Sequence, residues 1–166
     1  MHRSPDTVAG VPRKAGEAVV IRKARPGDAD EILRLVDALA NYEQLPPPDE
    51  EAKQRLIRDL FLEKPRVEAW LAWVGEEAVG YSFVFETYST FRGLPILYLE
   101  DLFVMPEYRG RKVGYALFSR MLEEAKERGC ARMEWSVLDW NQLAIDFYQR
   151  LGATHKREWH LYRIDL

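Results

Sequence analysis

Two adjacent carboxylates, Glu100 and Asp101, interrupt the apolar segment ILYLEDLFVM that runs from Ile96 to Met105. Consecutive strand residues point to opposite faces, so in a strand buried on both sides at least one carboxylate loses water unless it meets a cleft or a bulge. A desolvated carboxyl group has a raised pKa, as a general base requires. The alternative is that both acids reach water or pair with basic side chains, and the pattern favours the functional interpretation.

A basic loop with two glycines, YRGRKVG, follows the strand and precedes a predicted helix. Backbone N–H groups and the helix dipole favour an anion at such a helix start. Arg109, Arg111 and Lys112 add positive charge, which suits a pyrophosphate. An ordinary basic turn explains the loop equally well, because neither a full G-x-G-x-x-G motif nor a Walker motif is present.

Asn141 is the predicted N-cap of a helix that ends near Leu151. Helical spacing places Ala144 and Tyr148 on one face, with Phe147 beside them. Aromatic side chains at this spacing are usually core residues, so spacing alone favours a packing role for Tyr148.

The composition excludes several classes of function. The three histidines lack metal-ligand spacing, and Cys130, the one cysteine, excludes an internal disulfide and suits a reducing cytoplasm. The net charge of −3 over 166 residues argues against a nucleic-acid groove. No apolar run approaches the roughly 18–20 residues of a membrane span, so we expect neither nucleic acid nor membrane as a partner.

Strands and helices interleave along the chain, which predicts a mixed α/β (α+β) sheet rather than a purely parallel one. Asp28 and Glu31 form a predicted capping-box pair at the first helix, and Asp49 is the predicted cap of the second. We expect residues 1–16 to be a flexible tail and 17–166 to be a single domain. Strands are predicted at 18–23, 67–74, 78–85, 96–105, 133–138 and 154–164, and helices at 28–42, 49–64, 113–129 and 141–151.

The chain from about Val20 to its C-terminus resembles the GNAT (general N-acetyltransferase) superfamily, most closely its spermidine/spermine and thialysine acetyltransferase branch. The resemblance rests on three collinear segments, IRKARPGDADEILRLVDALANYE, YLEDLFVMPEYRGRKVG and WNQLAIDFYQRLGA. It implies a mixed, mostly antiparallel sheet flanked by helices, in which two parallel strands splay apart to hold acetyl-CoA. No metal is implied.

The resemblance also implies roles for individual residues. Glu100 would accept a proton from a primary amine of a small cationic acceptor, and Tyr148 would protonate the departing thiolate. The acceptor would be held by Tyr42, Glu43, Glu100 and Asp101. Acetyl-CoA would contact Leu102, Phe103, Val104, Arg109, Gly110, Arg111, Lys112, Val113, Gly114, Tyr115, Asn141, Ala144, Phe147 and Tyr148.

Three further expectations follow from the resemblance. The branch is typically homodimeric. A protein or peptide N-acetyltransferase, or a GNAT module that binds CoA without turnover, remains an alternative. Lys112 stands where the family's loop usually has glycine. If φ is positive there, a residue with a side chain would destabilise the fold by roughly 1 kcal/mol or more.

Overall fold

The computed structural model describes residues 17–166, so the tail predicted for 1–16 lies outside the described residues. They divide into two compact units, 17–134 and Trp135–Leu166. The second unit contains one helix, α4, Gln142–Arg150. The first unit contains β1 Val19–Lys23, α1 Ala29–Tyr42, α2 Glu50–Leu60, β2 Glu68–Val74, β3 Glu77–Ser89, β4 Leu94–Val104, α3 Val113–Glu127 and β5 Met133–Glu134. None of the helices in the described residues is long and apolar enough to cross a membrane.

The five strands form one sheet in the order β1-β2-β3-β4-β5. Strands β1 to β4 pair with one another in antiparallel fashion, whereas β4 and β5 are parallel and pair only through Leu97–Met133 and Tyr98–Glu134. The predicted mixed, mostly antiparallel sheet is therefore confirmed. Because β3 and β4 stay paired as far as Gly80–Val104, residues 99–104 of β4 have a strand neighbour on one side only within the described sheet.

Two apolar clusters hold the sheet between helices. Ile32 and Leu35 of α1 and Leu60 of α2 pack with Tyr81 and Phe103 in one cluster. Consecutive strand residues face opposite sides, so the neighbouring strand positions form the second cluster with α3. That cluster consists of Ala72, Val79, Val104, Val113 and Leu117.

Gly80 permits the close approach of β3 and β4 at the end of the sheet. A Cβ at this position would lie 2.7 Å from the Phe103 carbonyl oxygen and 3.3 Å from a side-chain carbon of Leu117. Since that carbonyl belongs to the backbone, it cannot move aside without shifting β4, and a side chain is excluded here.

The caps of the first two helices confirm one prediction and correct another. Asp49 accepts a hydrogen bond from Ala52 N at 2.8 Å, as predicted for the cap of α2. The capping box predicted for Asp28 and Glu31 is wrong. The Asp28 carboxylate instead accepts hydrogen bonds from Arg22 at 2.7 and 2.9 Å and from Arg25 N at 2.7 Å. A charge-assisted bidentate partner is a stronger donor than a helix N–H, so Arg22 takes the carboxylate.

Two strand predictions are also corrected. The strand predicted for 133–138 is only Met133–Glu134, and the strand predicted for 154–164 is absent, with every residue of 154–166 exposed. The aromatic and branched side chains of Trp159, Leu161, Tyr162 and Ile164 gave this stretch a strand-like composition. A strand, however, also needs hydrogen bonds to a neighbouring backbone, and local composition cannot supply them.

Lys112, directly before α3, has the left-handed backbone conformation that the sequence suggested, with φ 62° and ψ 14°. Gln44 is the other non-glycine residue with positive φ in the described part of the chain. Side chains other than glycine rarely adopt this conformation, because the Cβ atom comes close to the following carbonyl oxygen. The loop therefore keeps a strained residue at the start of a helix.

Replacing Lys112 with glycine should stabilise the fold. The relief of about 1–2 kcal/mol is partly offset by the greater backbone entropy of glycine in the unfolded chain, so we expect a net gain of up to about 1 kcal/mol. This corresponds to a Tm increase of about 2–4 °C in differential scanning calorimetry. Arg111→Gly is the matched control. The φ of Arg111 is not positive, so glycine there should lower the Tm, and a lower Tm for Lys112→Gly would contradict the interpretation.

Candidate active site

A β-bulge in β4 separates the two adjacent carboxylates. Phe83 lies opposite Asp101 and Val84 lies opposite Leu99, so Glu100 is the extra residue on β4. Bulges of this kind redirect side chains and occur often next to active sites. Glu100 is exposed and Asp101 is half-buried. From the sequence, a bulge is one feature that would keep a carboxylate of this strand in contact with water. Such a bulge is present, and it gives the two acids different environments.

The Asp101 carboxyl group is held from β3. Tyr81, which is fully buried, donates a hydrogen bond from its hydroxyl to Asp101 Oδ2 at 3.1 Å. Burial raises the pKa of Asp101 to about 6; the Tyr81 hydrogen bond opposes this rise, and the negative charges of Glu100 and Glu43 add to it. Burial likewise raises the pKa of Glu43, which follows the C-terminal end of α1.

Glu43, Glu100 and Asp101, which we call the acidic cluster, have no ion-pair partner among the described residues. Glu68 shows what a partner would do. Burial pushes the pKa of Glu68 up, yet hydrogen bonds from Arg128 and Lys23 leave it below its usual value. Because Asp101 and Glu43 lack such a cation, their ionised forms stay destabilised, and a positively charged ligand would relieve them.

Arg109 connects the basic loop to α1 and β4. Its Nε donates to the Val104 carbonyl oxygen at 3.0 Å, and its guanidinium carbon lies 4.5 Å from the centre of the Tyr42 ring and 5.7 Å from that of Phe103. The Arg109 side chain is thus engaged with a carbonyl and two aromatic rings. Tyr42, predicted to bind the acceptor, is part of this stack directly before Glu43.

The basic loop has the geometry of an anion cradle. Gly110, with φ 73°, would have no atom within 4 Å of an added Cβ. The first α-helical hydrogen bond of α3 runs from Ala116 N to Lys112 O at 2.9 Å, which leaves the N–H groups of Val113, Gly114 and Tyr115 outside the helical pattern. The first turn of α3 contains no acidic residue. Exposed Arg111 and Lys112 add positive charge at the same end.

Together with the open edge of β4, the loop could hold a long phosphorylated ligand. Leu102, Phe103 and Val104 lie on the stretch of β4 that has a strand neighbour on one side only. Backbone groups on such an edge can hydrogen-bond a ligand in place of a strand. The residues present therefore fit a molecule that has both amide groups and a pyrophosphate.

The second unit carries the remaining predicted site residues on α4. Asn141 caps the helix as predicted, since its side chain accepts a hydrogen bond from Ala144 N at 3.2 Å. The Tyr148 ring lies 4.9 Å from Trp135 and 5.2 Å from Phe147, measured between ring centres. Tyr148 is half-buried in this aromatic group, so its ring packs as the helical spacing predicts.

The sequence did not single out Tyr81. Its side chain follows the alternation of an apolar strand, AVGYSFVF, in which a tyrosine is indistinguishable from a core aromatic. The available signal was the pairing of this strand with the one that carries the two acids, because a buried hydroxyl needs a polar partner.

Comparison with known proteins agrees with this geometry. The model of the acetyltransferase (GNAT) family matches residues 34–153. Thialysine N-epsilon-acetyltransferase of Bos taurus is 38% identical over 158 residues, which cover 89% of this chain and 92% of that protein. L-ornithine N5-acetyltransferase of Arabidopsis thaliana is 35% identical over 108 residues, which cover 64% of this chain and 47% of that protein.

Among solved structures, AAC(6')-Iy in complex with the bisubstrate analogue CoA-S-monomethyl-acetylneamine superposes with a TM-score of 0.75. It is 19% identical, and the match covers 90% of this chain and 99% of that one, which shows that the two share a fold. The family match spans most of the chain, and the bovine relative extends over nearly its whole length. The chain therefore belongs to the GNAT acetyltransferase family.

Proposed function

We propose that the protein transfers an acetyl group from acetyl-CoA to a primary amine of a small cationic acceptor, such as a polyamine, a diamine or a lysine-like amino acid. The observation that carries this proposal is the acidic cluster, in which Glu43, Glu100 and Asp101 have no cationic partner among residues 17–166. Names of the relatives support the same class, because thialysine and ornithine each carry more than one amino group.

The acidic cluster suits both demands that such an acceptor makes. An alkyl ammonium has a pKa of about 10 and must lose a proton before its nitrogen can attack. One carboxylate of the Glu100–Asp101 pair accepts that proton, while the others hold a second ammonium. A charge pair in a partly desolvated cleft is worth up to a few kcal/mol, whereas an exposed pair contributes about 0–1 kcal/mol.

Acetyl-CoA supplies the activated acetyl thioester. We propose that Arg111, Lys112 and the N–H groups from Gly110 to Tyr115 bind its pyrophosphate, and that Leu102, Phe103 and Val104 offer backbone groups to its amides. Arg109 contributes by fixing the loop against Val104 and Tyr42. On α4, Asn141, Ala144 and Phe147 face the cosubstrate, and Tyr148 gives its hydroxyl proton to the leaving sulfur.

We also propose that residues 17–166 act as one catalytic domain of a cytoplasmic homodimer. The family model supports a single domain, because its match crosses the boundary between the two compact units. A second copy would cover apolar side chains near the C-terminus that are more than three-quarters exposed, namely Trp159, Leu161, Tyr162, Ile164 and Leu166. The other proposed partner is the small amine that accepts the acetyl group.

A panel of acceptors tests the proposed function. Polyamines, diamines, lysine-like amino acids and neutral-side-chain peptides are each incubated with acetyl-CoA, and the release of free thiol is measured. We expect turnover of acceptors with two or more amino groups and little turnover of the peptides. Efficient acetylation of peptides would move the assignment to a protein acetyltransferase, and binding of acetyl-CoA without turnover of any acceptor would indicate a non-catalytic module.

Glu43→Gln should raise KM for a diamine much more than for a monoamine of equal length. The substitution removes one negative charge from the acidic cluster and keeps the shape, so a second ammonium loses a partner that a monoamine never uses. We expect a KM ratio between the two acceptors that changes about tenfold or more, which corresponds to about 1.4 kcal/mol. The exposed Glu76→Gln is the control, and equal effects on both acceptors would count against selection by charge.

Tyr148→Phe should lower kcat at least tenfold while acetyl-CoA affinity and Tm change little. The ring and its contacts with Trp135 and Phe147 are kept, and only the proton donor is lost. A thiol of pKa about 8.5 is already a fair leaving group, so we expect a loss of about 10²-fold, at the low end for general acid catalysis. Unchanged turnover would show that Tyr148 serves packing and that water protonates the sulfur.

Asp101→Asn should increase the free energy of unfolding relative to the parent protein, and this gain should be larger at pH 8 than at pH 4. With a folded-state pKa of about 6 against an ordinary value near 3.8, the native protein binds the proton more tightly than the unfolded chain. Stability from this group is therefore lost as pH rises between those values. After allowance for solvent screening at the half-buried site, the stabilisation measured by urea unfolding should be larger at pH 8 by about 1–3 kcal/mol. The exposed Asp30→Asn is the control, and a pH-independent difference for Asp101→Asn would contradict this expectation.

A further inference from the structure

The Tyr81 hydroxyl has a single hydrogen-bond partner among the described residues, and that partner is the Asp101 carboxylate. The Tyr81 ring is locked in place, since its centre lies 4.7 Å from that of Phe83 and 6.3 Å from that of Phe103. A fully buried ring leaves its hydroxyl no access to bulk water, so Asp101 satisfies a group that would otherwise be costly to bury. In return, the hydroxyl fixes one oxygen of the carboxylate.

The two acids of the pair differ in how firmly they are held. Asp101 sits opposite Phe83 in the ladder and is fastened to β3 through Tyr81. Glu100 is exposed and has no hydrogen-bond partner in the described part of the chain. A proton acceptor needs a defined position and partial loss of water, whereas a group that attracts a distant ammonium needs only its charge.

We propose that Tyr81 is a positioning residue that holds Asp101 Oδ2, so that the other carboxylate oxygen, Oδ1, faces the acceptor amine and takes its proton. This reverses the roles suggested by the sequence, because Glu100 then attracts the cation and Asp101 acts as the base. The proposal rests on the proposed function, since it concerns the proton that an amine acceptor must lose.

The proton balance of the step is simple. The acceptor ammonium gives one proton to Asp101 Oδ1 and becomes a neutral amine with a free electron pair. That pair forms the bond to the acetyl carbon, the carbon–sulfur bond breaks with its electrons on sulfur, and the second nitrogen proton is lost as the amide forms. Tyr148 protonates the sulfur, so CoA leaves as the thiol, and the second nitrogen proton restores the Tyr148 hydroxyl by way of water. Asp101 returns its proton to water, so one proton is released in each cycle.

The charges around Asp101 set how the step depends on pH. Glu43 from the end of α1 and Glu100 from β4 raise the pKa of Asp101, and the Tyr81 hydrogen bond from β3 lowers it. No cation among the described residues acts on the pKa of Asp101, and Arg109 of the basic loop is stacked on Tyr42 and Phe103. Tyr81 therefore keeps Asp101 ionised at neutral pH, and the loss of its hydroxyl shifts the carboxyl group toward the protonated form.

Tyr81→Phe tests the proposal, because it removes the hydroxyl and keeps the ring. We expect kcat to fall about 3–30-fold with little change in the KM for acetyl-CoA, and the acidic limb of the kcat/KM profile to move up by about 0.5–1 pH unit. Tyr98→Phe is the matched control, since Tyr98 is a half-buried tyrosine of β4, the strand that carries Asp101, and its ring centre lies 5.2 Å from that of Phe85. A purely structural role for Tyr81 would lower Tm or activity and leave the acidic limb where it was, which would overturn the proposal.

Carbon-13 NMR titration of the Asp101 carboxyl group separates this inference from the proposed function, because it needs no acceptor. We expect a titration midpoint near pH 6 in the parent protein and a higher midpoint in Tyr81→Phe. An unchanged midpoint would show that the hydroxyl does not hold the carboxylate. Loss of the acidic limb in Glu100→Gln and its retention in Asp101→Asn would return the base role to Glu100. With no turnover of any amine, the midpoint shift alone would support the positioning contact, and the proposed function would fail by itself.

Discussion

Strand β4 is the constraint on which the rest of the site depends, because its two edges are used differently. On one side it pairs with β3 as far as Val104, and on the other its pairing with β5 ends at Tyr98. The first side fixes the register and therefore the bulge that separates Glu100 from Asp101. The second leaves backbone groups of 99–104 without a strand, which makes them available to a ligand. One strand thus presents carboxylates and an open edge within a few residues.

The acidic cluster works against folding, and the apolar packing beneath it offsets that cost. Asp101 and Glu43 are partly desolvated without a cation, so each destabilises the native state relative to a neutral group at neutral pH. Tyr81 and Phe103 anchor the same region in the core with α1. Arg109 adds a link through Val104 and Tyr42. The scaffold is therefore rigid where its charges repel each other, as binding a cationic substrate requires.

Features that depend on residues within one helical turn could be predicted from the sequence. Features that depend on a partner farther along the chain could not. Asp49 and Asn141 cap their helices as predicted, because an N-cap depends on residues within the next turn. Asp28 does not form its predicted capping box, because Arg22, which precedes it by six residues, binds its carboxylate. The missing strand at 154–164 fails for the same reason. In both places the sequence shows what a group could do locally, and a residue or backbone outside that window decides the outcome.

The same distinction explains which site residues the sequence revealed. Glu100 and Asp101 stood out because charge in an apolar strand is costly, and cost is visible in a single sequence. Lys112 stood out because it replaced a glycine expected at a left-handed position, and its φ of 62° agrees. Tyr81 did not stand out, because its buried ring fits the apolar pattern of a core strand and only its hydroxyl contacts the site. Only the register of β3 on β4 brings that hydroxyl to Asp101, and register is the quantity that a strand pattern leaves open. A residue that serves core and site at once is thus found from the partner its polar atom needs.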